Sequence, residues 1–328
     1  MSRIFSGIQP SGELHIGNYL GAVQNWVRLQ EGRDNTFFCV VDLHALTGNY
    51  EVADLRRRRH EMAVSLLAAG LDPERCTLFF QSAVPQHAEL AWIFNTVTPL
   101  GELERQTQYK DKASRQESVI TGLLTYPVLQ AADILLYHAV RVPVGEDQVQ
   151  HLELSREIAR RWNARFASDM PYFPEPQPLL TPVRRLMGLD GQAKMSKSLG
   201  NTIGLLETRE QIWDKLRPAM TDPARQRKTD PGTPEICNIY SMHRAFSAES
   251  TVETVAVNCR TAGWGCIECK KVLADSMEGV LLPIRRRAME IGAQPSYVTD
   301  VLEEGATRAR TTAQETMRQV YERMGLTD

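Results

Sequence analysis

Four short stretches suited to strands alternate with helical stretches through the first 166 residues, and that alternation leaves few folds open. Arg3–Ser6, Thr36–Leu43, Thr77–Phe80 and Arg141–Val144 are the strand candidates. The second is an almost unbroken apolar run of the kind found in a sheet covered on both faces. Leu20, Val23 and Val27 mark one face of a helix beginning near Asn18, and Val52–Ala69 forms another, stopped by Gly70. Val119–Tyr137 is a helical region interrupted near Pro127, and Asp147–Phe166 is helical again. Parallel strands need crossover connections and those are usually helices, so the pattern predicts an α/β fold with a parallel, doubly wound sheet.

The texture changes after Phe166. Prolines at 171, 174, 176, 178 and 182 predict a stiff connector with no strand beyond it. From Leu206 onward only helices are expected, over 206–217, 250–257, 270–291, 296–304 and 308–324. A chain of 328 residues is long for one core. The expectation is an α/β domain over 1–185 and a smaller all-helical domain over 186–328.

Apolar residues make up 42%, enough for a packed interior, and the net charge is only -2. Any nucleic-acid partner must then be met by local patches such as Arg56–Arg59 or Arg285–Arg287, each of which also reads as an ordinary charged helix face. The start of the chain lacks the profile of a signal or transit segment, and no apolar run reaches the roughly 18 residues that span a bilayer. A cytoplasmic protein is expected, with no membrane or DNA partner.

Two familiar phosphate signatures, G-x-G-x-x-G after the first strand and G-x-x-x-x-G-K-[ST], are absent from the sequence. The first strand instead leads into Ser6-Gly7-Ile8-Gln9-Pro10-Ser11-Gly12-Glu13-Leu14-His15-Ile16-Gly17-Asn18. Its glycines let backbone approach a ligand closely. His15 and Asn18 fall in the opening turn of a helix, where free N–H groups favour an anion. A glycine-rich loop with a capping Asn is the plainer reading. A second polar segment, Lys194-Met195-Ser196-Lys197-Ser198, lies between glycine-containing turns and offers two mobile cations to a polyphosphate, or forms a solvated surface loop.

Together, His15-Ile16-Gly17-Asn18 and Lys194-Met195-Ser196-Lys197-Ser198 resemble the two signatures of class I aminoacyl-tRNA synthetases, with Asn18 in place of a His in the first. Gly7–Gly12, Val41–Ala45, Gly101–Arg105, Tyr126–Asp133 and Val142–Gln148 extend the resemblance, in order, to the bacterial-type tryptophanyl-tRNA synthetases. It implies a Rossmann-like catalytic domain that joins L-tryptophan to ATP, with Mg²⁺ accompanying the nucleotide, and then to tRNA(Trp), in a homodimer. It places His15, Asn18, Lys112, Lys194 and Lys197 in catalysis. Gln9, Ser11, Gly17, Asn18, Gly145, Asp147, Lys194, Met195, Ser196 and Lys197 are implied at ATP. Phe5, Gln9, His44, Tyr126, Gln130, Asp133 and Gln148 are implied at tryptophan. Lys112 lies in a charged run with Lys110 and Asp111, and His44 could equally be an ordinary strand-end histidine.

Asp133 stands out independently of the family. It sits among Ala131, Ala132, Ile134, Leu135 and Leu136, and aspartate is seldom buried without a partner. An indole offers one N–H donor and no acceptor, so an apolar slot with one carboxylate at its base complements it. An Asp paired internally is the alternative. Many family members have Met where this chain has Gln130, which makes that pocket wall more polar.

Cys39 and Cys76 fall in or beside strands and read as small buried hydrophobes. Cys237, Cys259, Cys266 and Cys269 are spaced C-x21-C-x6-C-x2-C, and clustered thiols in a reducing compartment usually bind metal. The spacing resembles that of tryptophanyl-tRNA synthetases with a [4Fe–4S] cluster, one residue shorter in the first gap, and Zn²⁺ is the alternative. Rival readings are a tyrosyl enzyme, a catalytically silent RNA-binding relative and a small-molecule nucleotidyltransferase.

Overall fold

The computed structural model describes residues 2–32, 34–113, 118–180, 186–196 and 199–327, apart from the Lys112 side chain. Five strands, β1 (Arg3–Ile8), β2 (Asn35–Val40), β3 (Thr77–Phe80), β4 (Arg141–Val144) and β5 (Gln177–Leu180), form one sheet in the order β3-β2-β1-β4-β5. Every neighbouring pair is parallel, as the alternation requires. The chain winds outward from β1 to β3, then crosses back to lay β4 on the other side of β1. The direction of winding therefore reverses between β1 and β4, and ligands of open α/β sheets bind in the crevice beyond the strand ends at such a reversal.

β3 and β4 have the expected bounds, but two expectations fail. β2 stops at Val40, because Asp42 opens the short helix α3 (Asp42–Ala45), preceded in the chain by α1 (Ile16–Asn18) and α2 (Gln24–Leu29). The Asp42 carboxylate is held by the backbone N–H and hydroxyl of Ser82 at 2.8 and 2.6 Å and by Arg59, which bends the chain out of the sheet. The proline-rich connector, expected to be strandless, supplies β5. Pro178 is tolerated because β5 is an edge strand with β4 as its one neighbour, so a missing N–H breaks little of the ladder.

The remaining helices of the first half are α4 (Val52–Ala68), α5 (Gln86–Asn95), α6 (Leu100–Glu104), α7 (Thr107–Ala113), α8 (Thr121–Leu135) and α9 (Val149–Phe166). α8 runs unbroken through the buried Pro127. Beyond β5 come α10 (Arg209–Leu216), α11 (Asn238–Phe246), α12 (Glu249–Arg260), α13 (Cys266–Gly292) and α14 (Pro295–Met324). α11 was not expected, and two expected terminal helices are one, α14.

Successive strand residues face opposite sides, and each side has its own core. Phe38, Val40 and Leu78 join Leu66, Leu273, Met277 and Leu281 on one side. Phe37, Cys39 and Phe79 join Val128, Leu135 and Trp162 on the other. α14 serves both: Val298 and Leu302 belong to the first core, Ala306, Ala309, Ala313 and Met317 to the second. It packs along β3 so closely that a Cβ on Gly305 would lie 1.8 Å from the Leu78 carbonyl oxygen.

Candidate active site

A cavity of about 350 Å³ opens where the winding reverses. Its floor comes from the ends of β1 (Phe5 to Ile8, then Gln9) and β4 (Val142 to Val144, then Gly145). One wall is α8, which contributes Tyr126, Gln130, Asp133 and Ile134. Their spacing of four, three and one residues puts them on a single helical face. Val41, His44 and Gln148 complete the lining. All seven residues assigned by resemblance to tryptophan thus line one cavity.

Asp133 is 2% exposed and both oxygens of its carboxylate are engaged. Oδ1 accepts from Gln81 Nε2 at 2.6 Å and lies 2.6 Å from His87 Nδ1, while Oδ2 lies 2.7 Å from His44 Nε2. Burial pushes the Asp133 pKa up, but its interactions with His44 and then His87 outweigh burial and hold it well below the usual carboxylate range. The result is a buried anion beside apolar walls. Gln9 Nε2 donates to the His44 carbonyl at 3.0 Å, steadying that turn. The Tyr126 hydroxyl lies 3.1 Å from both Gln108 Oε1 and His151 Nε2, and burial raises its pKa to about 12. Gln130 Nε2 donates to Gln148 Oε1 at 3.4 Å, so the more polar wall foreseen at Gln130 is paired with another lining residue.

A second, wider cavity of about 900 Å³ shares Asn18, Gly21, Ala22, Gly145 and Gln148 with the first, and extends to His15, Gly17, Asp147, Lys194, Met195 and Ser196. His15 caps α1: its Nδ1 accepts from the Asn18 N–H at 3.3 Å, and Asn18 Oδ1 accepts from the His15 N–H at 3.4 Å. In a neutral imidazole an accepting Nδ1 places the proton on Nε2. A π-helical turn at Tyr19–Val23 follows and carries Gly21 and Ala22 to both cavities.

The segments at 15–18 and 194–196 meet because the chain between them folds back. Ile16 N–H donates to the Ile203 carbonyl at 3.0 Å, and Leu205 N–H to the Leu14 carbonyl at 2.7 Å. Asn201, 5% exposed, pins the loop from inside: its Oδ1 accepts from the Ser196 N–H at 2.8 Å and its Nδ2 donates to Asp190 Oδ2 at 2.8 Å. Met195 is buried against Gly17, where a Cβ would lie 3.5 Å from Met195 Cβ.

Residues 1–281 match the family model described as "tRNA synthetases class I (W and Y)". The chain belongs to that family. It is 54% identical over 330 residues to the tryptophan–tRNA ligase of Deinococcus radiodurans, covering 99% of each chain. It is 45% identical to that of Thermotoga maritima, again covering 99% of each. Its fold matches the tryptophanyl-tRNA synthetase of Campylobacter jejuni, solved in complex with ADP and tryptophan, with a TM-score of 0.89 at 36% identity over 98% of this chain and 99% of that one.

Not every residue expected at the site of this class I synthetase is gathered there. Lys197 and the Lys112 side chain lie outside the described residues. Ser11 lines a neighbouring groove with Glu13, Arg57, Arg58 and Glu61, and His15 lies on both that groove and the wide cavity. Conversely, Gln81, His87, Gln108 and His151 support the site without having been singled out. They carry no sequence signal, since each lies on another element and joins the network only in the folded chain.

Cys39 and Cys76 are buried, as expected of core thiols. Cys237, Cys259, Cys266 and Cys269 line one small cavity of the synthetase with Asp222, Arg225 and Trp264. Burial raises the thiols of Cys237, Cys259 and Cys269, the last to about 12, and the neighbouring sulfurs reinforce this. Among the described residues no group of three or more His, Cys, Asp or Glu side chains stands at metal-binding spacing. The four cysteines therefore converge without forming a closed metal site. Among the described residues no helix is long and apolar enough to cross a membrane.

Proposed function

We infer that this chain is a tryptophan–tRNA ligase, which joins L-tryptophan to ATP and passes the product to tRNA(Trp). The observation that carries this is the buried Asp133 anion in the cavity at the β1/β4 reversal, which opens into a second cavity lined by both signature segments. A single carboxylate acceptor in a slot walled by Phe5, Val41, Ile134 and Val142 suits an indole, whose polar content is one N–H. Tyr126, Gln9 and Gln148 stand where the amino and carboxylate groups of the amino acid would emerge.

Chemistry then needs little from side chains beyond position and charge. A tryptophan carboxylate oxygen attacks the α-phosphorus of ATP, the Pα–O bond to pyrophosphate breaks, and tryptophanyl-adenylate forms. The tRNA terminal hydroxyl next attacks the acyl carbon, and AMP leaves. His15, its cap fixing a proton on Nε2, and the Asn18 amide are suited to the phosphate that is attacked. Lys194, with Lys197 and Lys112 by resemblance, is suited to the charge that moves onto pyrophosphate, and Mg²⁺ accompanies the nucleotide. Ser11 lies on the groove that adjoins the second cavity at His15. Residues 1–185 form the main catalytic part in this reading, 186–328 carry the Lys194–Ser198 loop and the tRNA-recognising helices with the cysteine cluster, and the enzyme works as a cytoplasmic homodimer.

Cys237, Cys259, Cys266 and Cys269 are proposed to hold a [4Fe–4S] cluster, with Zn²⁺ as the alternative. Four soft sulfur donors on one cavity suit either. The bound group would brace the 222–237 loop against α12 and α13 rather than take part in activation. Iron and zinc analysis with an absorption spectrum of anaerobically purified protein distinguishes the two occupants. Cys266→Ser should lose the metal and tRNA charging while pyrophosphate exchange persists, and selective loss of exchange overturns the bracing role.

The test of the main reading is ATP–pyrophosphate exchange with tryptophan and with tyrosine. Exchange with tryptophan alone is expected. Exchange with tyrosine alone would make this the sister enzyme, and exchange with neither from folded protein would make it a silent relative.

A further inference from the structure

The two oxygens of Asp133 are treated differently. His44, the partner of Oδ2, lines the cavity, whereas Gln81 and His87, the partners of Oδ1, do not. They approach from behind, His87 from the start of α5 and Gln81 from the turn after β3, and both are 0% exposed. His87 has a second partner, the Tyr137 hydroxyl, 2.8 Å from Nε2. A carboxylate can only accept, so Nδ1 of His87 donates to Asp133. In the neutral ring Nε2 then accepts, and Tyr137 is the donor. The Tyr137 ring is stacked on Phe37 at 4.6 Å and on Phe5 at 5.5 Å, and Phe5 is itself a wall of the cavity.

We propose that His87, directed by Tyr137, is a positioning residue for substrate selection: with Gln81 it saturates Oδ1 of Asp133, so that Oδ2 alone is presented to the indole N–H. This rests on the reading of Asp133 as the acceptor of that N–H. Tyr137 orients the ring and fixes its tautomer. His87 fixes the carboxylate plane, so that Oδ2 stays turned toward the cavity. Without His87 the carboxylate is held by Gln81 and His44 alone and is less firmly oriented, so affinity for the N–H declines while the apolar walls still hold the ring.

The experiment is pyrophosphate exchange on the full chain, with tryptophan and with the analogue whose ring N–H is replaced by sulfur. A site built around one hydrogen bond rejects a ligand lacking it, so the natural chain should prefer tryptophan by at least about 10²-fold in kcat/KM. His87→Leu should cut that preference by about tenfold or more, through a higher KM for tryptophan, with kcat and the KM of the sulfur analogue little changed. His87→Asn keeps a donor near the Nδ1 position and should restore most of the preference. Tyr137→Phe should lower it severalfold. Undiminished preference in folded His87→Leu overturns the proposal. Should that variant not fold, undiminished preference in Tyr137→Phe, or in His87→Asn a loss as deep as that of Asp133→Asn, overturns it instead. A natural chain with no preference, or an Asp133→Asn variant that keeps it, would remove the Asp133 reading and this inference with it.

Discussion

A buried carboxylate has to be satisfied at both oxygens, and Asp133 meets that demand with partners from three separate segments. Its charge was legible in the sequence as an Asp in an apolar run. Its partners were not, because nothing local to Gln81 or His87 points toward a residue some 50 positions away. Asp133→Ala should leave both histidines and Gln81 facing an emptied site and lower kcat/KM for tryptophan by about 10² or more, measured by exchange, with the KM for ATP nearly unchanged. His138 supplies a second test at this scale. It sits at φ 50° against Phe173 and Tyr172, and burial, aided by Arg3, lowers its pKa to about 4. Between about 4 and the ordinary 6.5 the unfolded chain binds this proton and the folded chain does not, so stability falls as pH drops through that window. The slope is about 1.4 kcal/mol per pH unit at most. Thermal melts of His138→Asn, a residue that tolerates the left-handed backbone, should show a shallower decline from pH 6.5 to pH 4 than the natural chain does.

At the scale of elements, strands with strong β-formers could be read with the right bounds, as β3 and β4 show. β5 could not, because Gln177–Leu180 lacks the β-branched residues of β4 and follows several prolines, and it is completed as a strand only by pairing with β4 at the sheet edge. α14 was read as two helices, 296–304 and 308–324, which stop short of Gly305 on either side. The fold uses that glycine for contact: its bare Cα lets α14 touch the β3 backbone. Glycines in helices therefore separate into two kinds, with opposite expected effects. Gly305→Ala should destabilise by roughly 1–3 kcal/mol or more, since Cβ would meet the Leu78 carbonyl and backbone must give way. Gly279→Ala, in α13, meets nothing within 4 Å and should stabilise by about 0.5–1 kcal/mol. Urea titrations of the two variants against the natural chain check both signs.

For the molecule as a whole, the sequence indicated an α/β half and a helical half, and the structure ties them together. Both cores draw on residues after 186, and α14 belongs to both. A chain ended before Pro295 strips apolar cover from both sides of β3. It should therefore fail to give a folded catalytic unit, with loss of the cooperative melt and of tryptophan-dependent exchange alike. A truncated chain that melts cooperatively and still exchanges would show that the first part stands alone. The same packing has a consequence for birth on the ribosome. Phe80 and Pro295 are about 215 residues apart, so at roughly 5–20 residues per second the flank of β3 awaits its helix for on the order of 10–40 s. Through that interval the growing chain carries an uncovered, sticky sheet edge, and guarding it until release falls to the cell's chaperones.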